Sequence, residues 1–516
     1  MKKTKQIKIR DVLVGGGAPI AVQSMTNTDT RDAKATLAQI RALADAGCDI
    51  VRCAVPDMQA AEALREICAN SPLPVVADIH FDYRLALAAI ESGVDKIRLN
   101  PGNIGGADRV QAVVKAAKAR HLPIRIGVNS GSVEKHILEK FGGPTPEAMV
   151  ESALYHVGLL NDCDFDDICI SIKSSSVPNT MQAYLLASEK TDYPLHLGVT
   201  EAGAGEDGRI KSALGIGALL SDGLGDTVRV SLSEAPENEI PVARKLVDYI
   251  LLRRNRKRIE AREYEGFNYV CPERRATCPV LDIGGSNRPV VIGENCTPAD
   301  YDDTIRPDYV IVPDISPASM PDTRMRYIVE ARKYDGRENT YPLFTTDDLD
   351  KISACRAAAK FLELAPFAFD NGVAGCLREN PDTVLMIKTT SRNCIGEARA
   401  IIHTLMREGI QNPVVFAKPY DHKAGELEDF QIESAADTGA LIFDGLLDGL
   451  CITCPGGRNR KHLPARDVLA TEFSILQAAG QRITKTEYIS CPGCGRTLYD
   501  LEGTLARIKA ATQGMV

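Results

Sequence analysis

The chain has 516 residues and a formal net charge of −8, a length that exceeds one ordinary core and calls for about two to four domains. The acidic balance excludes a general nucleic-acid binder, which needs a basic surface to displace counterions from phosphates. A hydrophobic content of 44% argues against disorder, and no run approaches the ~20 apolar residues of a membrane span.

The N-terminal MKKTKQIKIRDVLVGG is basic without an apolar signal core, which sets the bacterial cytoplasm as the expected location. In that reducing compartment the fifteen cysteines are expected to be core residues rather than a disulfide framework. From there, short β-rich runs alternate with Ala-rich helical segments. The runs are PIAVQS (19–24), DIVRCAV (49–55), PVVADI (74–79), DKIRLN (95–100), PIRIGV (123–128), DICISI (167–172), LHLGV (195–199) and TVRVSL (227–232). Segments such as 35–47 and 107–119 between them carry helical periodicity. Eight strands each followed by a helix predict a (β/α)8 TIM barrel, with a doubly wound sheet as the rival. A helix over 237–254 leads into the basic run 253–258, read as a solvated helix end.

Residues 271–480 predict a second, degenerate α/β barrel. Its strands are expected at 279–283, 288–293, 308–313, 383–388, 413–418, 440–445 and 449–454, with a helix over 349–365. The tail predicts a strand at EYIS (487–490), then CPGCGRT (491–497), then a helix over 498–513. The expected domains are 1–260, 261–480 and 481–516.

In such a barrel the functional groups lie at the C-terminal ends of the strands. Those positions hold Arg52, Asp78, Arg98, Arg125, Asn129, Lys173, Glu201 and Ser231. Three arginines and a lysine face only two acids, and buried cations require anionic partners. The excess points to a multiply charged anion such as a diphosphate, which guanidinium forks match in bidentate fashion. The alternative is a salt-bridge network closing the barrel. NPGNIGG (100–106) suits either a phosphate cradle or a plain βα turn.

Cys491 and Cys494 form a CxxC around a Pro-Gly turn, a spacing that brings two thiolates to one metal or cluster or makes a redox pair. Cys451 and Cys454 form a second CxxC in an apolar strand, where packing is the expected role.

APIAVQSMTNTDTRD (18–32), AGCDIVRCAVPD (46–57), VADIHFDYRLAL (76–87), GVDKIRLNPGNIG (93–105), PIRIGVNSGSVE (123–134), LHLGVTEAG (195–203) and the block 215–240 occur in one order along the first barrel. Together with CPGCGRT they resemble the 4-hydroxy-3-methylbut-2-enyl diphosphate synthases. Residues 262–480 resemble the inserted domain of the long-form members. The resemblance implies reduction of 2-C-methyl-D-erythritol 2,4-cyclodiphosphate by electrons from flavodoxin or ferredoxin through a [4Fe-4S] cluster. It implies substrate contacts at Arg52, Asp78, Arg98, Arg125, Asn129, Lys173 and Ser231, acid–base work by Glu201, and metal ligation by Cys491 and Cys494. It leaves a monomer or a homodimer open. The family's remaining cluster ligands, a cysteine and a glutamate, lie further downstream, and no cysteine follows Cys494 here. The expectation is therefore a cluster domain cut short. The alternative is a cluster-deficient fragment that binds the cyclodiphosphate without redox activity. A pteroate-type barrel transferase shares the fold class but has no use for CPGCG.

Overall fold

The computed structural model describes residues 2–100, 103–253, 259–455, 462–497 and 499–512. Most of the basic run 253–258 and part of the 100–106 loop lie outside them, as do both ends of the helix expected over 498–513. The chain divides into two compact units, one within 1–250 and 487–514, the other within 251–486.

The first unit opens with a hairpin, β1 (Ile7–Ile9) and β2 (Val12–Val14), paired antiparallel. Its apolar side chains pack on Ala21, Ile50, Val76 and Cys169. Eight strands follow: β3 (Ala21–Met25), β4 (Ile50–Ala54), β5 (Val75–Asp78), β6 (Lys96–Leu99), β7 (Ile124–Asn129), β8 (Ile168–Lys173), β9 (His196–Leu197) and β10 (Thr227–Val228). They pair in parallel in the order β8-β7-β6-β5-β4-β3-β10-β9. A single bridge, Ile170 to Leu195, joins the two ends and closes the barrel. The last two strands are much shorter than expected, so Arg229 and Ser231 stand beyond the ladder.

Helices α1 (Ala33–Asp45), α2 (Met58–Asn70), α3 (Tyr83–Glu91), α4 (Ala107–Ala119), α5 (Lys135–Phe141), α6 (Pro146–Asn161), α7 (Val177–Lys190), α8 (Gly205–Ser221) and α9 (Glu239–Leu251) complete this barrel. Their starts are written locally. Asp32, Asp57 and Asp82 accept from the first-turn amides of α1, α2 and α3, and Thr145 caps α6 ahead of Pro146.

The second unit is a closed parallel barrel: β11 (Val290–Glu294), β12 (Tyr309–Ile311), β13 (Arg326–Glu330), β14 (Thr340–Phe344), β15 (Lys360–Leu364), β16 (Thr383–Lys388), β17 (Val414–Pro419) and β18 (Gly449–Thr453). Its helices are α10 (Leu349–Ile352), α11 (Asn371–Glu379), α12 (Cys394–Arg407), α13 (Leu427–Phe443) and α14 (Ala465–Ala478). The connections from β11 to β14 hold no α-helix among the described residues, so the unit is degenerate in its helices, not its strands.

Four expectations need correction. The segment 279–283 forms only an isolated bridge between Val280 and Ile283. Residues 440–443 end α13, whose last turn is apolar and buried and so resembles a buried strand. KFLEL, expected inside a helix over 349–365, is β15, and α10 stops after one turn. EYIS runs without a ladder partner. The terminal helix, α15, spans Leu501–Ala511.

Candidate active site

Strand period and register build the site in the first barrel. Alternation turns Lys96 and Arg98 of β6 to one face. Register sets Asp78 beside Arg98, Arg98 beside Arg125, and Asn129 beside Lys173. Arg98 donates from Nη1 to Asp78 Oδ1 at 3.2 Å and from Nη2 to the Gly127 carbonyl at 3.0 Å. Gly127 is needed there, because a Cβ would lie 2.5 Å from Arg98 Nε. His80 Nε2 sits 3.1 Å from Arg98 Nη1 and 3.3 Å from Asp78 Oδ2. Arg52 donates from Nε and Nη2 to the Met25 sulfur, at 3.1 and 3.0 Å.

Two interior groups escaped the sequence reading. Arg229 forms a bidentate pair with Glu239 at the start of α9, both contacts at 3.1 Å. Ser24 Oγ and the Leu232 amide also donate to that carboxylate. Lys96 is fully buried, and its Nζ has no hydrogen-bond partner. The period-two pattern of KIRL could have revealed Lys96; the Arg229–Glu239 pair has no local signature.

The charge does not balance. Among the described residues, Arg52, Lys96, Arg98, Arg125, Lys173 and Arg229 face only Asp78 and Glu239. Arg125 is 1% exposed, yet its Nε and Nη1 find no acceptor. Gln23 and His196 Nε2 are likewise buried and unsatisfied, and Lys173 is buried. Burial and the neighbouring Arg98 bring the Arg125 guanidinium down to about 10. Burial, then Arg125 and Arg52, pull the Lys173 ammonium well below its ordinary value. Burial lowers Lys96 to about 8. Burial alone would raise the Asp78 carboxyl, but Arg98 and Arg52 hold it well below the carboxylate range. Unsatisfied buried donors of one sign are the pattern that a bound anion would satisfy.

Around this interior lie the other expected residues. Ser231 is buried. Asn129 is exposed at the end of β7, its amide taken by Ser132 Oγ at 3.0 Å. Glu201 is half-buried after β9, in a left-handed conformation with φ of +55°. That backbone is uncommon outside glycine and clusters at functional sites.

The tail is seated on the same unit. Lys211 Nζ meets Glu487 at 2.6 Å, and Ser233 Oγ donates to the Cys491 carbonyl at 3.0 Å. Gly495 lies so close to the Thr28 carbonyl that a Cβ would come within 2.6 Å. Arg496 reaches Asp78, Nη1 to Oδ2 at 3.1 Å and Nη2 to the main-chain carbonyl at 2.7 Å. Cys491 is exposed and Cys494 half-buried, both as free thiols, and Gly493 turns the chain between them with φ of +79°. Two such thiols fit two ligand positions of a cluster. Among the described residues no group of three potential ligands is gathered. Cys451 does not extend the set: it packs in the core of the second barrel, and burial and Glu472 push its thiol well above the ordinary range.

The second barrel's mouth is a cleft of about 370 Å³. Glu294, Glu330, Glu363, Lys388 and Lys418 line it, and Lys388 pairs with Glu363 at 2.8 Å.

The fold and site define a (β/α)8 barrel protein with a cationic interior and a paired-cysteine segment. The GcpE TIM-barrel domain family matches residues 4–244. The 4-hydroxy-3-methylbut-2-en-1-yl diphosphate synthase (flavodoxin) of Bacteroides thetaiotaomicron is 43% identical over 99% of this chain and 87% of its own length. That of Phocaeicola vulgatus gives the same figures. The protein of the same name from Ruminiclostridium cellulolyticum is 57% identical over 56% of this chain and 80% of its own. The chain belongs to the 4-hydroxy-3-methylbut-2-en-1-yl diphosphate synthase family. Among solved structures, the Yersinia pestis dihydropteroate synthase aligns over 49% of this chain and 99% of its own at a TM-score of 0.36 and 10% identity. No described helix is long and apolar enough to cross a membrane.

Proposed function

We propose that this chain acts in the methylerythritol phosphate route to isoprenoids. It opens the ring of 2-C-methyl-D-erythritol 2,4-cyclodiphosphate reductively and removes a hydroxyl as water, giving 4-hydroxy-3-methylbut-2-enyl diphosphate, in the bacterial cytoplasm with flavodoxin or ferredoxin as donor. The observation that carries this reading is the buried Arg125, with two unsatisfied donor atoms among uncompensated cations.

In this reading Arg52, Arg98, Arg125 and Lys173 take the two phosphates through charge-assisted bonds, with Asn129 and Ser231 as neutral donors. Asp78 orients Arg98. Glu201, whose carboxylate has no hydrogen-bond partner among the described residues, holds or moves a proton at the hydroxyl that leaves. The strained backbone at Glu201 fixes that direction. Cys491 and Cys494 would hold one edge of an iron–sulfur cluster, which supplies the two electrons when bound. The barrel residues bind and orient the substrate, and the seated tail excludes water from the mouth.

Two measurements test this. Calorimetric titration with the cyclodiphosphate is expected to show one saturable site, weakened in Arg125→Ala; no binding by the parent refutes the reading. After anaerobic reconstitution, iron and acid-labile sulfide are assayed alongside product formation with reduced flavodoxin. A cluster-loaded chain that binds the cyclodiphosphate and forms no product refutes the redox assignment.

A further inference from the structure

Most contacts that seat the tail are made to residues outside the cationic set: Glu487 to Lys211, Cys491 to Ser233, Gly495 against Thr28. Arg496, two residues beyond Cys494, is different. Its guanidinium forks across the side chain and main chain of Asp78, at 3.1 and 2.7 Å. Asp78 also carries Arg98, which takes the other carboxylate oxygen at 3.2 Å. One carboxylate, 3% exposed, therefore stands between a guanidinium of the anion site and a guanidinium of the cysteine segment.

The consequence follows from charge. A diphosphate drawn to Arg98 competes with Asp78 for that guanidinium and brings negative charge beside the carboxylate. With Arg496 in place, the carboxylate keeps a cationic partner and the repulsion is offset. Without it, Asp78 Oδ2 keeps the His80 ring at 3.3 Å but loses its guanidinium, and the phosphate faces a desolvated carboxylate charge, which is unfavourable for the bound state. Conversely, once phosphate occupies Arg98, Asp78 is freed to bind Arg496 more strongly, and the cysteine segment is held harder against the barrel. The two effects are one coupling free energy seen from two sites, and such coupling is reciprocal.

Building on the diphosphate reading above, we infer that Arg496 is a positioning residue: through Asp78 it makes occupation of the anion site and seating of the Cys491–Cys494 segment favour each other. It touches no reacting atom.

The test uses the full, iron-free chain, inorganic pyrophosphate as the probe, and R496Q and R496K beside the parent. Pyrophosphate affinity is read by calorimetry. Seating of the tail is read as the alkylation rate of Cys491 and Cys494 by N-ethylmaleimide, resolved by peptide mass spectrometry so that the exposed Cys271 serves as an internal reference. In the parent, pyrophosphate is expected to slow alkylation of the pair but not of Cys271. In R496Q that protection disappears and the pyrophosphate Kd rises about tenfold, within the usual range of such couplings; R496K recovers part of both. Equal Kd and equal protection in R496Q and parent overturn the inference while leaving the diphosphate reading intact. A parent that binds neither pyrophosphate nor the cyclodiphosphate removes that reading and this inference with it.

Discussion

Lys96 offers a stringent check on the charge argument, because its effect on folding has a defined pH signature. Its ammonium is fully buried without a hydrogen-bond partner, and burial lowers it from 10.5 to about 8, Arg125 and Arg52 adding to the effect. Methionine has nearly the same length and no charge, so Lys96→Met removes the buried cation without opening a cavity. A lysine whose folded value lies below its unfolded value binds fewer protons when folded, so stability rises with pH across the interval between the two. At about 1.4 kcal/mol per tenfold change, the gap from 10.5 to about 8 amounts to about 3 kcal/mol against folding at pH 7, where both states are charged. By pH 10 the folded amine is neutral, and about 1 kcal/mol remains by the same relation. Lys96→Met is thus expected to be more stable than the parent by about 3 kcal/mol at pH 7 and by about 1 kcal/mol at pH 10. Urea unfolding of both proteins at the two pH values measures the difference. A variant less stable than the parent at pH 7, or a difference independent of pH, would refute the view of Lys96 as a buried, uncompensated cation. Saturating pyrophosphate should narrow the gap at pH 7, because an anion in the interior favours the charged lysine.

Arg125→Ala should weaken pyrophosphate binding by about 10- to 100-fold, the value of a charged hydrogen-bonded contact, and leave alkylation of Cys491 and Cys494 without ligand unchanged; parallel loss of both would indicate misfolding instead. Glu239→Gln strips the charge from a pair whose side chains are 4% and 2% exposed and should cost about 3–5 kcal/mol in urea unfolding; a neutral result would mean that Arg229 finds another partner. Gly127→Ala places a methyl 2.5 Å from Arg98 Nε, so the guanidinium must swing away. Anion affinity should fall several-fold with the melting temperature nearly unchanged, and unaltered affinity would show that Arg98 does not face the anion.

The first barrel was legible because its strands are short, rich in branched residues and separated by amphipathic helices of ordinary length. Its cations were legible for the same reason: position within a strand fixes the face. The hairpin β1–β2 was not, since VLVGGG gives equal support to a turn. The second barrel failed where burial is complete. KFLEL and ALIFDG are both short and rich in Phe and Leu; one is a strand and the other ends a helix, and only the surrounding packing separates them. Lys96 was passed over although it shares a face with Arg98. Contacts such as Arg229 with Glu239 or Arg496 with Asp78 depend on how distant segments meet, and no spacing rule encodes them.

The floor made by Ile7, Ile9 and Val14 has a kinetic consequence. Under the proposed reading it leaves the mouth of the first barrel, where Arg496 of the cysteine segment meets Asp78, as the ligand's route in and out. On that reading the ligand comes in while the tail is raised and leaves after it lifts again. Residence time would then depend on how often the tail detaches as well as on the ligand's own contacts.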